Sequence, residues 1–160
     1  MRIIAKSRIL LPAILIFLVL GFSKSPAAED IILKDLNGSS VNISGYKGRP
    51  VIIFFWTTWC HFCRDEIKAL NRKYNQIEKE GITVFAINVS EPEYKVQRFF
   101  KDYALNFKVL LDKDGLAADR YDIIGVPTYI FLNKSGRVIS SENRLPADYK
   151  SLLLEQVKEQ

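Results

Sequence analysis

Val51-Ile52-Ile53-Phe54-Phe55-Trp56-Thr57-Thr58-Trp59-Cys60-His61-Phe62-Cys63 is the stretch that decides the fold. Its first six residues are β-branched or aromatic without polar alternation, the composition of a central strand covered on both faces. Gly48-Arg49-Pro50 breaks the chain before them. From Cys60 to Lys79 the pattern turns helical, with Ile67, Leu70, Tyr74 and Ile77 on one face and charged residues elsewhere. A buried strand therefore delivers two cysteines, one helical turn apart, to the start of a helix.

Working outward, Ile31 to Leu36 and Val41 to Ile43 flank Asn37-Gly38-Ser39-Ser40 and predict a small β-hairpin. Gly81 ends the long helix, Ile82 to Val89 is a second buried-type strand, and Glu93 to Tyr103 reads as a helix lying back over the sheet. That order implies right-handed βαβ crossovers. Phe107 to Leu111 reads as a short strand, Leu116 to Tyr121 as a short helix, and Thr128 to Leu132 as a strand. The tight turn Asn133-Lys134-Ser135-Gly136 then leads into Arg137 to Ser141, so these last two strands are expected to pair as a hairpin. Pro146 opens a closing amphipathic helix carrying Tyr149, Leu152, Leu153 and Val157.

The 160 residues accommodate one domain, expected over 28–160, behind a targeting segment at 1–27. Arg2, Lys6 and Arg8 precede an uncharged, almost wholly apolar run at 9–22. Ser25 and Ala27 sit three and one residues before a cut at Ala28, the small-residue pattern of a cleaved signal. An uncleaved anchor is the alternative, since the run with its flanks approaches the ~20 residues of a membrane span. No cysteine follows the run, which excludes a lipoprotein anchor there. Either way the domain is expected on the periplasmic or other extracytoplasmic side of the membrane.

Most of the net charge of +5 belongs to that segment: four basic residues and no acidic ones lie in 1–27, leaving 19 Lys and Arg against 18 Asp and Glu beyond it. A nearly neutral domain with interleaved signs is not a nucleic-acid binder. Both cysteines of the chain fall in the quoted stretch. As a staple so small a ring is worth only ~2 kcal/mol, and a domain this apolar does not need it. In an oxidising compartment the pair reads as redox chemistry.

Trp56 to Cys63 running into a helix, followed downstream by Gly125-Val126-Pro127-Thr128 before a strand, resembles the two hallmarks of thioredoxin-fold oxidoreductases. The early hairpin and the extra strand and helix between Asn106 and Tyr121 are similar to the TlpA/ResA branch of that fold. The resemblance spans nearly everything after the signal. It implies an α/β thioredoxin fold, a central mixed β-sheet flanked by helices, with an N-terminal β-hairpin and a central strand-helix insertion.

Disulfide exchange needs a thiolate, and a sulfur at a helix N-terminus is stabilised as the anion. Cys60 is thus the expected nucleophile and Cys63, more buried, the resolving thiol. By resemblance Pro127 is cis, leaving the Val126 backbone to pair with an extended substrate. Thioredoxins proper carry a buried Asp six residues before the first cysteine, where this chain has Phe54. TlpA/ResA-like proteins instead place a Glu three residues after the second cysteine, which Glu66 matches as an acid/base or as a tuner of the thiol pKa. The plain alternative is a solvated helix Glu between Arg64 and Lys68. His61, as a cation, would favour the Cys60 thiolate and make the pair more oxidising; Phe62 replaces the proline common before the second cysteine. Trp59 is expected to line the substrate face.

The resemblance implies a disulfide reductase that needs no cofactor, drawing electrons from a membrane donor of the thiol-transporting type. Its expected clients are protein disulfides, such as those of apocytochrome c in cytochrome c maturation. A general periplasmic dithiol oxidase or isomerase is the alternative within the fold. A copper- or zinc-binding module lacks ligands beyond the two sulfurs and one histidine, so no metal site is expected.

Overall fold

The computed structural model describes residues 31–101 and 104–154. The expected targeting segment at 1–27, Tyr103 of the expected helix from Glu93 and Val157 of the expected closing helix lie outside those residues. The elements are β1 (Ile32–Asp35), β2 (Ser40–Asn42), a 3-10 turn (Ile43–Tyr46), β3 (Val51–Trp56), α1 (His61–Lys79), β4 (Thr83–Val89), α2 (Glu93–Phe100), β5 (Lys108–Asp112), α3 (Leu116–Arg120), β6 (Thr128–Leu132), β7 (Val138–Glu142) and α4 (Tyr149–Leu154).

They form one mixed sheet in the order β2-β1-β5-β4-β3-β6-β7. β3 lies parallel to β4 and antiparallel to β6, and all six of its residues are buried. Its side chains alternate between two cores. Ile52, Phe54 and Trp56 meet Ile67 and Leu70 of α1, Val96 and Phe100 of α2, and Tyr149 and Leu153 of α4. Val51, Ile53 and Phe55 meet the hairpin residues Leu33 and Val41 and the α3 residues Ala117 and Ala118. The steps β3 to β4 and β4 to β5 run the same way across the sheet. Right-handed crossovers therefore put α1 and α2 on one face, and α3, which leads back to β6, covers the other.

The hairpin forms as expected, with Asp35 Oδ1 accepting the Asn37 and Ser39 amides at 2.9 Å across a turn whose Gly38 has φ +79°. Its place in the sheet was not predicted: β1 pairs antiparallel with β5 and extends the sheet beyond the parallel strands. The second hairpin starts one residue later than expected, at Val138. Asn133 Oδ1 accepts the Ser135 and Arg137 amides at 3.0 Å, which holds Arg137 in the turn. Asp112, fully buried at the end of β5, accepts the Ala117 and Ala118 amides at 3.0 and 2.9 Å and so fixes α3 beneath the sheet.

Tyr121, just beyond α3, has a buried hydroxyl with no hydrogen-bond partner among the described residues, while its ring packs 5.7 Å from that of Phe55. Removing an orphaned buried hydroxyl relieves a desolvation cost. Tyr121→Phe is expected to raise unfolding stability by ~1 kcal/mol in urea titrations. Burial also pushes the Tyr121 phenol from 10.0 to about 12. A folded pKa above the unfolded value gives stability that is complete below pH 10 and is lost as pH rises to about 12. The Phe variant should lose less stability across that window.

Candidate active site

β3 ends at Trp56, and Thr57-Thr58-Trp59 turns the chain so that Cys60 caps α1. The Cys60 backbone is extended, at φ −75° and ψ 112°, and its Sγ accepts the Cys63 amide at 3.1 Å. One unpaired helix N–H thus points at the first sulfur, the arrangement that stabilises a thiolate. Cys60 and Cys63 are joined as a disulfide with Cα atoms 5.3 Å apart. Cys60 is 6% exposed and Cys63 is fully buried, so of the two cysteines only the first has any exposed surface.

Opposite the dithiol, the Val126–Pro127 bond at the entrance to β6 is cis, and the Val126 carbonyl oxygen lies 3.7 Å from Cys60 Sγ. Beside it opens a cavity of about 620 Å³ whose wall includes Phe62, Glu66, Ile124, Val126, Pro127 and Arg144. Large apolar side chains stand out beside the dithiol and the cavity. Trp59 and Phe62 are each 72% exposed, and Ile124 is fully exposed. Trp59 is not part of the cavity wall; it projects beside Cys60 instead. His61 is exposed too, its ring edge-on to Phe62 at 5.9 Å.

Glu66 is half-buried and is not held by its sequence neighbours. Its Oε2 accepts the Tyr129 hydroxyl at 3.0 Å and the Leu145 amide at 3.1 Å. Arg64 turns away, donating to the Thr58 carbonyl at 3.2 Å, and Lys68 pairs with Asp65 at 4.0 Å. Tyr129 is fully buried and stacks on Phe54, the residue in place of thioredoxin's buried acid, with centroids 4.6 Å apart. Burial, then the Glu66 charge, pushes its phenol far upward, so it remains a hydroxyl donor at any working pH.

Sequence reasoning missed a second carboxylate. Glu91, 6% exposed just after β4, accepts the Thr58 amide at 2.6 Å and the Asn88 side-chain amide at 2.8 Å with Oε2, and the Thr58 hydroxyl at 2.6 Å with Oε1. With Arg64 on the Thr58 carbonyl, every polar group of Thr58 is engaged. The turn that carries Trp59 and Cys60 is therefore pinned from β4 and from α1. The available signal was Asn88, a lone amide in an otherwise apolar strand at the sheet end where β3 delivers the dithiol.

A dithiol capping a helix at the end of a central strand, across from a cis-proline loop, on a mixed sheet covered on both faces, defines a thioredoxin-fold protein. Residues 25–141 match the AhpC/TSA family. The chain belongs to that family. It is 35% identical over 119 residues to the thiol-disulfide oxidoreductase ResA of Bacillus subtilis, covering 74% of this chain and 66% of that protein, slightly under two thirds of the relative's length. Among solved structures, StoA of Bacillus subtilis superposes with a TM-score of 0.67 at 26% identity, covering 84% of this chain and 97% of that one. A secreted Mycobacterium tuberculosis disulfide oxidoreductase homologous to Escherichia coli DsbE gives 0.66 at 26% identity, covering 76% and 92%. Among the described residues no helix is long and apolar enough to cross a membrane, and no three His, Cys, Asp or Glu side chains group as metal ligands.

Proposed function

We propose that this protein is an exported thiol-disulfide oxidoreductase that reduces disulfides of client proteins, apocytochrome c among them, with electrons received from a membrane thiol donor. The observation that carries the reading is Cys60 Sγ, lodged between the Cys63 amide and the Val126 carbonyl. The names of the relatives support the same class of reaction. In the reduced protein the Cys60 thiolate attacks one sulfur of a client disulfide; a Cys60–client bond forms and the other client sulfur leaves as a thiolate. Cys63, deprotonated, then attacks Cys60 Sγ and displaces the second client sulfur, closing the Cys60–Cys63 disulfide. The Val126 backbone offers an extended client segment a strand to pair with, and Trp59, Phe62 and Ile124 offer its side chains apolar contact. Residues 1–27 act as the export signal or, through 9–22, as the membrane anchor.

Reductase and oxidase differ in the potential of the same pair. Equilibration of the soluble domain with glutathione and dithiothreitol buffers is expected to place Cys60–Cys63 near the thioredoxin value, about −270 mV, and a value near −120 mV would reverse the direction of electron flow.

A further inference from the structure

We propose that Tyr129 is a positioning residue: with the Leu145 amide it grips one oxygen of Glu66, the acid/base that the TlpA/ResA resemblance implies for the dithiol, and leaves the other oxygen to Cys63. The inference rests on the exchange reading above and adds a positioning residue to it.

Both donors bind Oε2, one from β6 and one from the loop between β7 and α4, and no donor among the described residues reaches Oε1. Glu66 nevertheless lines the cavity beside Phe62, Val126 and Pro127. A carboxylate tied by two bonds on its protein side has one geometry left for its second oxygen, whereas an untied helix Glu samples several rotamers. Cys63 and Glu66 stand at i and i+3 of α1 and share a face. Tyr129 is fit for the holding role because its ring is fixed by stacking on Phe54 and its hydroxyl never ionises in the working range. The other charged groups around this carboxyl are Asp65 and Arg144 in the cavity wall; Arg144 has no hydrogen-bond or ion-pair partner among the described residues.

In the second half-reaction the Cys63 thiol gives its proton to Glu66 Oε1, and the Cys63 thiolate attacks Cys60 Sγ. The Cys60–client bond breaks, and the departing client thiolate takes up the proton from Glu66. Charge and protons balance without another reactant. The positioned oxygen shortens the step that releases the client and leaves the first attack by Cys60 nearly unaffected.

The test is the pH dependence of the two half-reactions, followed by rapid mixing with a disulfide peptide, in the wild type, Glu66→Gln, Tyr129→Phe and the double variant. Tyr129→Phe keeps the stacked ring. It is expected to slow client release about tenfold, the scale of one lost hydrogen bond to a charged group, and to move the pH profile of release toward that of Glu66→Gln. Mixed-disulfide formation should change little, and the double variant should be no slower than Glu66→Gln. A Tyr129→Phe profile identical to wild type, with Glu66→Gln altered, overturns the grip and leaves the role of Glu66 standing. An unaltered Glu66→Gln profile overturns that role itself. In the wild type, the Tyr129 hydroxyl proton should exchange slowly with solvent and show an NMR cross-peak to the Glu66 side chain; a hydroxyl averaged with water overturns the grip even if a variant fails to fold.

Discussion

Cys63→Ser will accumulate a covalent Cys60–client adduct that the wild type never builds up. Cys60, the proposed nucleophile, sits at the helix cap with 6% of its surface exposed, whereas Cys63 is fully buried, so an incoming client is expected to meet Cys60 alone. With Cys63 gone, release depends on an external thiol rather than on one held a helical turn away. The loss of that proximity is expected to slow release by about a thousandfold or more. Cys60→Ser should form no adduct and lose exchange by a similar factor. Non-reducing gels and mass spectrometry of the trapped species report both results and identify the client. Adducts of equal yield through Cys63 in the Cys60→Ser variant would overturn the order of the two sulfurs.

The second large effect falls on a residue that never touches sulfur. Glu91→Ala strips the acceptors from the Thr58 amide, the Thr58 hydroxyl and the Asn88 amide at one buried point. Leaving such donors unsatisfied costs about 1–3 kcal/mol each at the upper end of the range, partly recovered if water enters, so a net loss of roughly 2–4 kcal/mol is expected in urea unfolding. The same variant frees the turn that presents Trp59 and Cys60, and its exchange rate should fall at pH values where the protein is still folded. Glu91→Gln, which keeps one acceptor, should lose less of both. A Glu91→Ala midpoint indistinguishable from wild type would show that the Glu91 contacts add nothing to the hold of Arg64 and the backbone on Thr58.

Much of this molecule is legible in its chain because its signals are local. The six-residue apolar run, the cysteine spacing, the helical period after Cys60 and the turn residues at 37–40 and 133–136 each depend on neighbours within a few positions, and β3, α1 and the two hairpins followed from them. What stayed hidden depends on partners chosen across the fold. Tyr129 reads as one more aromatic in an apolar strand, and only the antiparallel register of β6 with β3 brings it over Phe54 and under Glu66. Glu66 itself was legible through resemblance, but its donors were not; neither lies near it in the chain. Glu91 looks like a loop acid until β4 is placed beside β3, which sets it under Thr58. The pairing of β1 with β5 escaped for the same reason, since a hairpin's internal pattern does not say which strand it will join.

The central strand also dictates when the molecule can finish folding. Val51 pairs with Leu132 on one side and with Thr83 on the other, so one edge of β3 waits for β4 and the other for β6, more than half the domain later. A chain that emerges from its N-terminus must carry the uncharged, wholly apolar strand Val51–Trp56 with an open edge until the Thr128–Leu132 strand arrives. Any truncation before Thr128 therefore leaves that edge without its native partner, and fragments ending there are expected in inclusion bodies rather than in solution.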